Sequence, residues 1–172
     1  MTAAPLAVLI GPPGSGKTTV AARLGARLGV AVRDTDADVE ATAGKPISEI
    51  FLDEGEPHFR LLEAAAVRAA LAEHRGVLSL GAGAVVDPHT RALLAGLPVI
   101  FLDVPLAEAV KRVGLDAPRP LLALNPRQRW RELMEQRRPL YTEVARAVIE
   151  TGGRTPDEVA QAVQDALELT TA

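Results

Sequence analysis

The residues best suited to chemistry form a glycine-rich loop near the start of the chain. Residues 11–18 read GPPGSGKT, which matches the phosphate-loop pattern G-x-x-x-x-G-K-[ST]. Its glycines let backbone N–H groups approach phosphates, its lysine reaches the β- and γ-phosphates, and its last hydroxyl can bind Mg²⁺. An apolar run, Leu6–Ile10, precedes the loop, and a segment with helical spacing, Thr19–Leu28, follows it. This context favours nucleoside-triphosphate binding over an incidental glycine-rich turn.

Two acidic residues, Asp34 and Asp36, follow the second apolar run of the chain. In a parallel α/β sheet this is the carboxyl end of a strand, the edge where ligands bind. One carboxylate could assist Mg²⁺ through water while the other accepts a hydrogen bond from a substrate hydroxyl. An ordinary polar loop explains the same position equally well.

Three later groups are also ambiguous when taken singly. Arg60 and Glu63 are three residues apart in a helical segment, so they form either a surface ion pair or an arginine oriented to bind a carboxylate. The small residues 81–83 are either a tight turn or a backbone that faces a ligand. Arg137 and Arg138 could be the basic end of a helix.

These residues need a scaffold of alternating strands and helices. Short apolar runs predict strands at Leu6–Ile10, Val30–Val32, Val77–Leu80, Pro98–Val104 and Ala147–Ile149. Helical spacing and N-terminal prolines predict further helices at Pro57–Glu73, Pro88–Leu94, Pro105–Val113, Arg127–Arg137 and Pro156–Leu169. The alternation predicts an α/β fold with helices on both faces of a parallel sheet.

Composition narrows the class of protein. The 172 residues, 48% hydrophobic and 24% charged, predict a single domain over 1–172. A net charge of −3 argues against nucleic-acid or membrane-surface partners. The absence of cysteine excludes disulfides and thiol catalysis. Without a signal sequence or a long apolar run, we expect a cytoplasmic protein. Nothing in the sequence requires association, so we expect a monomer.

One long segment interrupts the regular alternation. Residues 114–126 contain one glycine, three prolines and an isolated Arg119 between two predicted helices. Long loops in compact enzymes are often lids, so we interpret this segment as a lid over the nucleotide rather than a plain connection.

Taken together, the motifs are far more specific. The order G-x-x-x-x-G-K-T, D-T-D, F-R-x-x-E, a glycine-rich turn after V-L-S-L, R-P-L-L and R-x-P-L-Y resembles the shikimate kinase family over roughly residues 6–160. The resemblance implies a three-layer α/β/α P-loop kinase with a five-stranded parallel sheet in the order 2-3-1-4-5. It also implies Mg²⁺-dependent transfer of the ATP γ-phosphate to the 3-hydroxyl of shikimate, on the route to chorismate and aromatic amino acids.

The resemblance also assigns roles to individual residues, with the shikimate-binding region at about 34–63 and the lid at about 114–126. It implies that the catalytic residues are Lys17, Asp36 and Arg119, and that Glu63 orients Arg60. Metal binding falls to Thr18 directly and to Asp34 through water. The implied ATP-binding residues are Gly14, Ser15, Gly16, Lys17, Thr18, Thr19, Arg112, Arg119 and Arg154. The implied shikimate-binding residues are Asp36, Arg60, Gly81, Ala82, Gly83 and Arg137.

The chain departs from the family at Ala82, where the family usually has the middle of three glycines. A positive φ there would cost an alanine roughly 1–2 kcal/mol. Otherwise its methyl group narrows the pocket, which is the outcome we expect. Two alternatives remain: another small-molecule kinase of this fold, acting on gluconate or a nucleoside monophosphate, and a nucleotide-binding protein without catalysis.

Overall fold

Five parallel strands form the centre of the molecule. The computed structural model describes residues 4–116 and 125–171. The strands are β1 (Ala7–Ile10), β2 (Val32–Asp34), β3 (Val77–Ser79), β4 (Val99–Asp103) and β5 (Ala147–Glu150). Their order in the sheet is β2-β3-β1-β4-β5, so β1 and the loop after it lie centrally. The predicted fold class and strand order are confirmed.

The described residues also contain eight α-helices and one 3₁₀ turn, which lie between or after the strands. The α-helices are α1 (Lys17–Leu28), α2 (Thr35–Ala43), α3 (Ile47–Glu54), α4 (Glu56–Glu73), α5 (Pro88–Leu94), α6 (Leu106–Asp116), α7 (Pro126–Val144) and α8 (Pro156–Ala166). The 3₁₀ turn covers Ala84–Val86. No α-helix in residues 4–116 and 125–171 is long and apolar enough to cross a membrane.

The side chains of β1 show why both faces of the sheet are covered. Successive residues of a strand point to opposite faces. Ala7 and Leu9 pack into the core beneath α1 and α8, whereas Val8 and Ile10 pack into the core beneath α4, α5 and α7. All four side chains are buried, which gives the three-layer arrangement.

A smaller apolar cluster holds the helices beside the sheet. Val39 of α2, Ile50 of α3 and Phe59 of α4 are buried together. The rings of Phe51 and Phe59 have centroids 4.8 Å apart. This cluster fixes α4, which carries Arg60, relative to the sheet.

Strand β2 begins two residues later than predicted. The prediction of Val30–Val32 was wrong at its start because Val30 belongs to the capping turn that follows α1. Gly29 adopts a left-handed conformation (φ 67°), and the Val30 N–H donates to the Gly25 carbonyl. This bond closes the helix C-terminus and leaves Val32–Asp34 to pair with β3.

The helices show two larger differences from the predictions. Residues 35–54 form α2 and α3, which were not predicted because α2 is short and polar and buries only Thr35 and Val39. Helix α7 was predicted to end at Arg137, but it continues to Val144 through Pro139. A proline inside a helix removes a hydrogen bond, and burial of the residues beyond it, Tyr141 above all, outweighs that loss.

Candidate active site

The phosphate loop joins the end of β1 to the start of α1. Gly14 and Gly16 both have positive φ (83° and 87°), which a residue with a Cβ rarely adopts. The Lys17 Nζ donates to the carbonyls of Gly11 (2.8 Å) and Pro12 (3.1 Å). The ammonium group therefore lies across the loop at the N-terminus of α1, where phosphate oxygens bind.

A hydroxyl and a carboxylate lie beside this loop. The Thr18 Oγ1 donates to Asp34 Oδ2 at 3.1 Å. The other oxygen of Asp34 accepts the Asp36 N–H at 2.9 Å and caps α2. Asp34 makes both contacts, which fixes its carboxylate at the end of β2. Its Oδ2 and the Thr18 Oγ1 therefore lie together beside the phosphate loop. Oxygen ligands of this kind suit Mg²⁺.

Arg112 reaches the phosphate loop from α6. Its Nη1 donates to the Gly14 carbonyl at 2.8 Å, and its Nη2 bonds to Glu108 Oε2 at 3.1 Å. Glu108 Oε1 in turn accepts the Gly153 N–H at 2.9 Å. Arg154 follows directly in the loop between β5 and α8 and is exposed outside the cavity. Arg119 lies outside the described residues, as does most of the predicted lid.

Helix α4 supplies an arginine held by a buried carboxylate. The Arg60 Nη1 donates to Glu63 Oε1 at 2.8 Å, and its Nη2 bonds to Glu56 Oε1 at 3.3 Å. Burial raises the pKa of the Glu63 carboxyl above its ordinary value, and the Arg60 charge opposes this effect. Glu63 is only 4% exposed, so this is an orienting contact rather than the surface ion pair that remained possible from the sequence.

The turn after β3 requires small residues for steric reasons. A Cβ at Gly81 would lie 2.5 Å from Asp36 Oδ1 and 2.8 Å from Glu63 Oε2, and a Cβ at Gly83 would clash with Arg60 Nη1. Ala82 does not have a positive φ. The strained outcome for this alanine therefore does not occur, and its buried methyl group lies at the cavity wall.

Arg137 enters from the opposite side on α7. It is 9% exposed and lines the same cavity as Glu63, and its charge lowers the pKa of the Glu63 carboxyl. The next residue, Arg138, points elsewhere and pairs with Asp103 at the end of β4. Because α7 continues to Val144, the two arginines are not a helix terminus, and only Arg137 serves the cavity.

One cavity of about 810 Å³ joins these groups. Its lining includes most of the predicted site residues: Gly14, Gly16, Lys17, Thr18, Thr19, Asp34, Asp36, Arg60, Glu63, Ala82, Gly83, Arg112 and Arg137. Ser15 and Gly81 are buried and are not among the residues that line it. Within the described residues, no cluster of three or more His, Cys, Asp or Glu side chains could hold a metal ion. A cation here would therefore rely on few protein ligands.

Sequence reasoning missed two buried hydroxyl groups behind the turn. The Thr35 Oγ1 accepts the Gly81 N–H at 3.1 Å, and the Tyr141 hydroxyl donates to the Ala82 carbonyl at 2.6 Å. Tyr141 is the only tyrosine of the chain and ends the R-x-P-L-Y motif. Its place in that motif was a usable signal, whereas nothing in the sequence distinguished Thr35 from a neutral spacer between two acids.

The fold and its phosphate loop define a P-loop kinase, and comparison with known proteins narrows this class. A sequence model of the shikimate kinase family matches residues 13–168. The shikimate kinase of Streptomyces avermitilis is 63% identical over 165 residues, which cover 96% of each chain. That of Streptomyces coelicolor is 61% identical over 166 residues, which cover 96% of this chain and 97% of the other. The chain belongs to the shikimate kinase family, as its motifs predicted.

A solved structure gives the same result in three dimensions. The shikimate kinase of Acinetobacter baumannii, determined in complex with shikimate, is 36% identical to this chain. The two superpose with a TM-score of 0.91 over 97% of this chain and 94% of the other. The architecture described above is therefore that of the family.

Proposed function

We propose that this chain transfers the γ-phosphate of ATP to the 3-hydroxyl of shikimate, giving shikimate 3-phosphate and ADP. Family membership and near full-length similarity to shikimate kinases support an ATP-dependent kinase that acts on an alcohol group. The observation that carries the proposal is the shared cavity, in which a phosphate loop faces a cluster of arginines and carboxylates. Shikimate has one carboxylate and several hydroxyls, so its chemistry matches this cluster.

In the donor half, the loop N–H groups and Lys17 bind the ATP phosphates. Gly14, Ser15, Gly16, Thr18 and Thr19 complete this half, and Arg112 binds on the nucleotide side. We extend this role to Arg119 and Arg154, which the family motifs imply. Thr18 and Asp34 fit Mg²⁺ because their oxygens already meet beside the loop. When bound, Mg²⁺ would neutralise charge on the phosphates.

In the acceptor half, Arg60 and Arg137 bind the shikimate carboxylate, helped by the turn at residues 81–83. Glu63 accepts a hydrogen bond from Arg60 Nη1. This contact orients the planar guanidinium, which can bind a carboxylate through two N–H groups at once. Asp36 lies at the start of α2, between this cluster and the phosphate loop, and accepts a hydrogen bond from a substrate hydroxyl. The substrate is thereby held at both ends.

The protein promotes phosphoryl transfer mainly by aligning the reacting groups. Phosphoryl transfer has a loose transition state. The rate therefore depends most on placing the acceptor hydroxyl in line with the bond that breaks and on stabilising the negative charge of the transferring group. Asp36 orients the 3-hydroxyl and receives its proton as the hydroxyl oxygen bonds to the γ-phosphorus, while the bond from that phosphorus to the β–γ bridging oxygen breaks and ADP leaves. Lys17 stabilises negative charge on the transferring group.

The substrate can be tested by ADP release in the presence of ATP and Mg²⁺. Shikimate, gluconate and a nucleoside monophosphate are compared at equal concentrations. We expect turnover only with shikimate. Stimulation by gluconate or the monophosphate instead would favour another small-molecule kinase of this fold, and no stimulation by any acceptor would favour a non-catalytic nucleotide-binding protein.

The role of Asp36 needs a variant. Asp36→Asn keeps the size of the side chain but removes the charge, and we expect kcat to fall about 10²- to 10⁴-fold. The Kd of ATP, measured by calorimetry, should remain within about twofold. A fully active Asp36→Asn enzyme would remove Asp36 from this role.

The cytoplasmic location and the monomeric state stay predictions. The use of ATP and the absence of cysteine support the first. For the second, nothing in the sequence requires association. Light scattering of the purified protein measures the oligomeric state directly.

A further inference from the structure

Hydrogen bonds within the chain fix the downstream part of the turn at residues 81–83. The carbonyl of Gly81 accepts the Ala84 N–H, and the carbonyl of Gly83 accepts the Val86 N–H, each at 3.1 Å. These two bonds belong to the start of the 3₁₀ turn. They hold the exit of the segment but leave the peptide between Ala82 and Gly83 to be fixed by other groups.

Two side-chain hydroxyls hold the rest of the turn from behind. Thr35 Oγ1 accepts the Gly81 N–H, and the Tyr141 hydroxyl donates to the Ala82 carbonyl, both within the protein interior. Among the residues that the structure describes, the N–H groups of Ala82 and Gly83 have no protein acceptor. Both residues line the cavity. The turn therefore retains two backbone donors for a ligand.

The Tyr141 bond determines where one of these donors points. A peptide group is planar and trans, so its C=O and N–H point in opposite directions. The Ala82 carbonyl and the Gly83 N–H belong to the same peptide group. When the hydroxyl of Tyr141 holds that carbonyl towards the core, the Gly83 N–H must point away from the core, next to the Arg60 guanidinium.

Tyr141 is itself held rigidly. Its side chain is fully buried, and its ring stacks on Phe101 of β4 with a centroid distance of 4.9 Å and an interplanar angle of 29°. It lies one helical turn after Arg137 on α7. The Tyr141 hydroxyl thus joins the helix that carries Arg137 to the turn that faces Arg60.

We propose that Tyr141 is a positioning residue for the carboxylate of the acceptor. Its hydroxyl aims the Gly83 N–H and fixes the spacing between the turn and Arg137, so that the N–H and both arginines meet one carboxylate. This proposal rests on the proposed function, because it takes the acceptor to be shikimate. The hydroxyl itself does not contact the substrate.

The test is Tyr141→Phe, which keeps the ring and its stacking but removes the hydroxyl. We expect the Kd and KM of shikimate to rise about tenfold, the free-energy equivalent of one lost hydrogen bond of this kind. The kcat and the KM of ATP should change less than about twofold. A general loss of structure would instead move both KM values and kcat together.

A chemically altered substrate isolates the carboxylate. In the analogue, a neutral hydroxymethyl group replaces the carboxylate of shikimate. If Tyr141 acts through the carboxylate, Tyr141→Phe weakens binding of shikimate but not of the analogue, as in a double-mutant cycle. Equal weakening for both compounds, or no weakening for either, would overturn the proposal.

A matched control lies one residue along the same helix. The Thr142 Oγ1 donates to the Arg138 carbonyl at 2.9 Å on an exposed surface. Thr142→Ala also removes a hydroxyl-to-carbonyl bond of α7 but does not reach the turn, and it should leave the Kd of shikimate unchanged. Turnover of shikimate by the wild type tests the function separately. An active wild type with an unaltered Tyr141→Phe variant would disprove the positioning role alone.

Discussion

The phosphate loop and the proposed acceptor half share one cavity, but the first is held by local contacts and the second by long-range contacts. The loop is a run of consecutive residues, and the Lys17 contact with Gly11 spans six positions of the chain. In the acceptor region, the bond from Tyr141 to Ala82 spans 59 positions and the bond from Gly81 to Thr35 spans 46. Backbone conformation thus determines the donor geometry, whereas tertiary packing determines the acceptor geometry.

This difference predicts that the two halves can be damaged separately. Changes in the loop should affect phosphoryl transfer with little effect on shikimate binding. Changes in α4, α7 or the turn at residues 81–83 should affect shikimate binding with little effect on ATP binding. Each variant below therefore needs both affinities as well as kcat.

The largest effect is expected in the donor half. Lys17→Met removes the ammonium group but keeps a long, flexible side chain, and we expect kcat to fall by about 10³-fold or more because transition-state charge is no longer stabilised. Shikimate binding, measured by calorimetry without ATP, should stay within about twofold. A large loss of shikimate affinity would mean that the two halves are not separable.

The next largest effect is expected from a substitution in α7, and it concerns the KM of shikimate. Arg137→Lys keeps the charge but removes the planar fork that binds a carboxylate, so the KM of shikimate should rise about 30-fold. The neighbouring Arg138→Lys is the matched control, because Arg138 pairs with Asp103 outside the cavity. Equal effects of the two substitutions would contradict the assignment of Arg137.

A smaller effect is expected from crowding the turn. In Gly83→Ala the new Cβ meets the Arg60 Nη1, whose guanidinium must move away. Gly83 has a φ of −96°, so the backbone accepts alanine without strain. We expect the KM of shikimate to rise about tenfold and the KM of ATP to stay unchanged.

The double variant Gly83→Ala/Arg60→Ala tests whether Arg60 transmits this effect. If displacement of Arg60 is the cause, Gly83→Ala adds little once the arginine is absent. Full additivity would assign the loss to the turn itself.

The same contrast explains which features were predictable from the sequence. The phosphate loop has a local pattern in which the required glycines, lysine and hydroxyl all lie within eight consecutive residues, 11–18. The sheet order and the pairing of Arg60 with Glu63 also followed from the motifs. The start of β2 did not, because whether Val30 ends a helix or begins a strand depends on the left-handed Gly29 and a bond to Gly25.

Long-range contacts account for the other omissions. Thr35 gives no periodic signal in a short polar helix, and it matters only because folding brings Gly81 to its hydroxyl. The end of α7 was missed because Pro139 is a strong local stop signal. Burial of Tyr141 against Phe101 of β4 overrides that signal, and Phe101 lies too far away in the sequence to affect the local pattern around Pro139.

The smallest change in the KM of shikimate is expected for a substitution at Ala82, and the direction of that change is informative. Ala82→Gly removes the methyl group at the cavity wall, so the KM of shikimate should fall about twofold if that group narrows the pocket. Glycine also gains more freedom in the unfolded chain, which lowers the unfolding free energy by roughly 0.5–1 kcal/mol. Because Ala82 lacks a positive φ, no relief of strain offsets this loss. We therefore expect tighter binding of shikimate, measured by steady-state kinetics, together with a lower Tm, measured by thermal denaturation of the same preparation.

Two outcomes would contradict this expectation. An unchanged KM of shikimate would mean that the methyl group does not restrict the acceptor, and a raised Tm would mean that the backbone of Ala82 is strained.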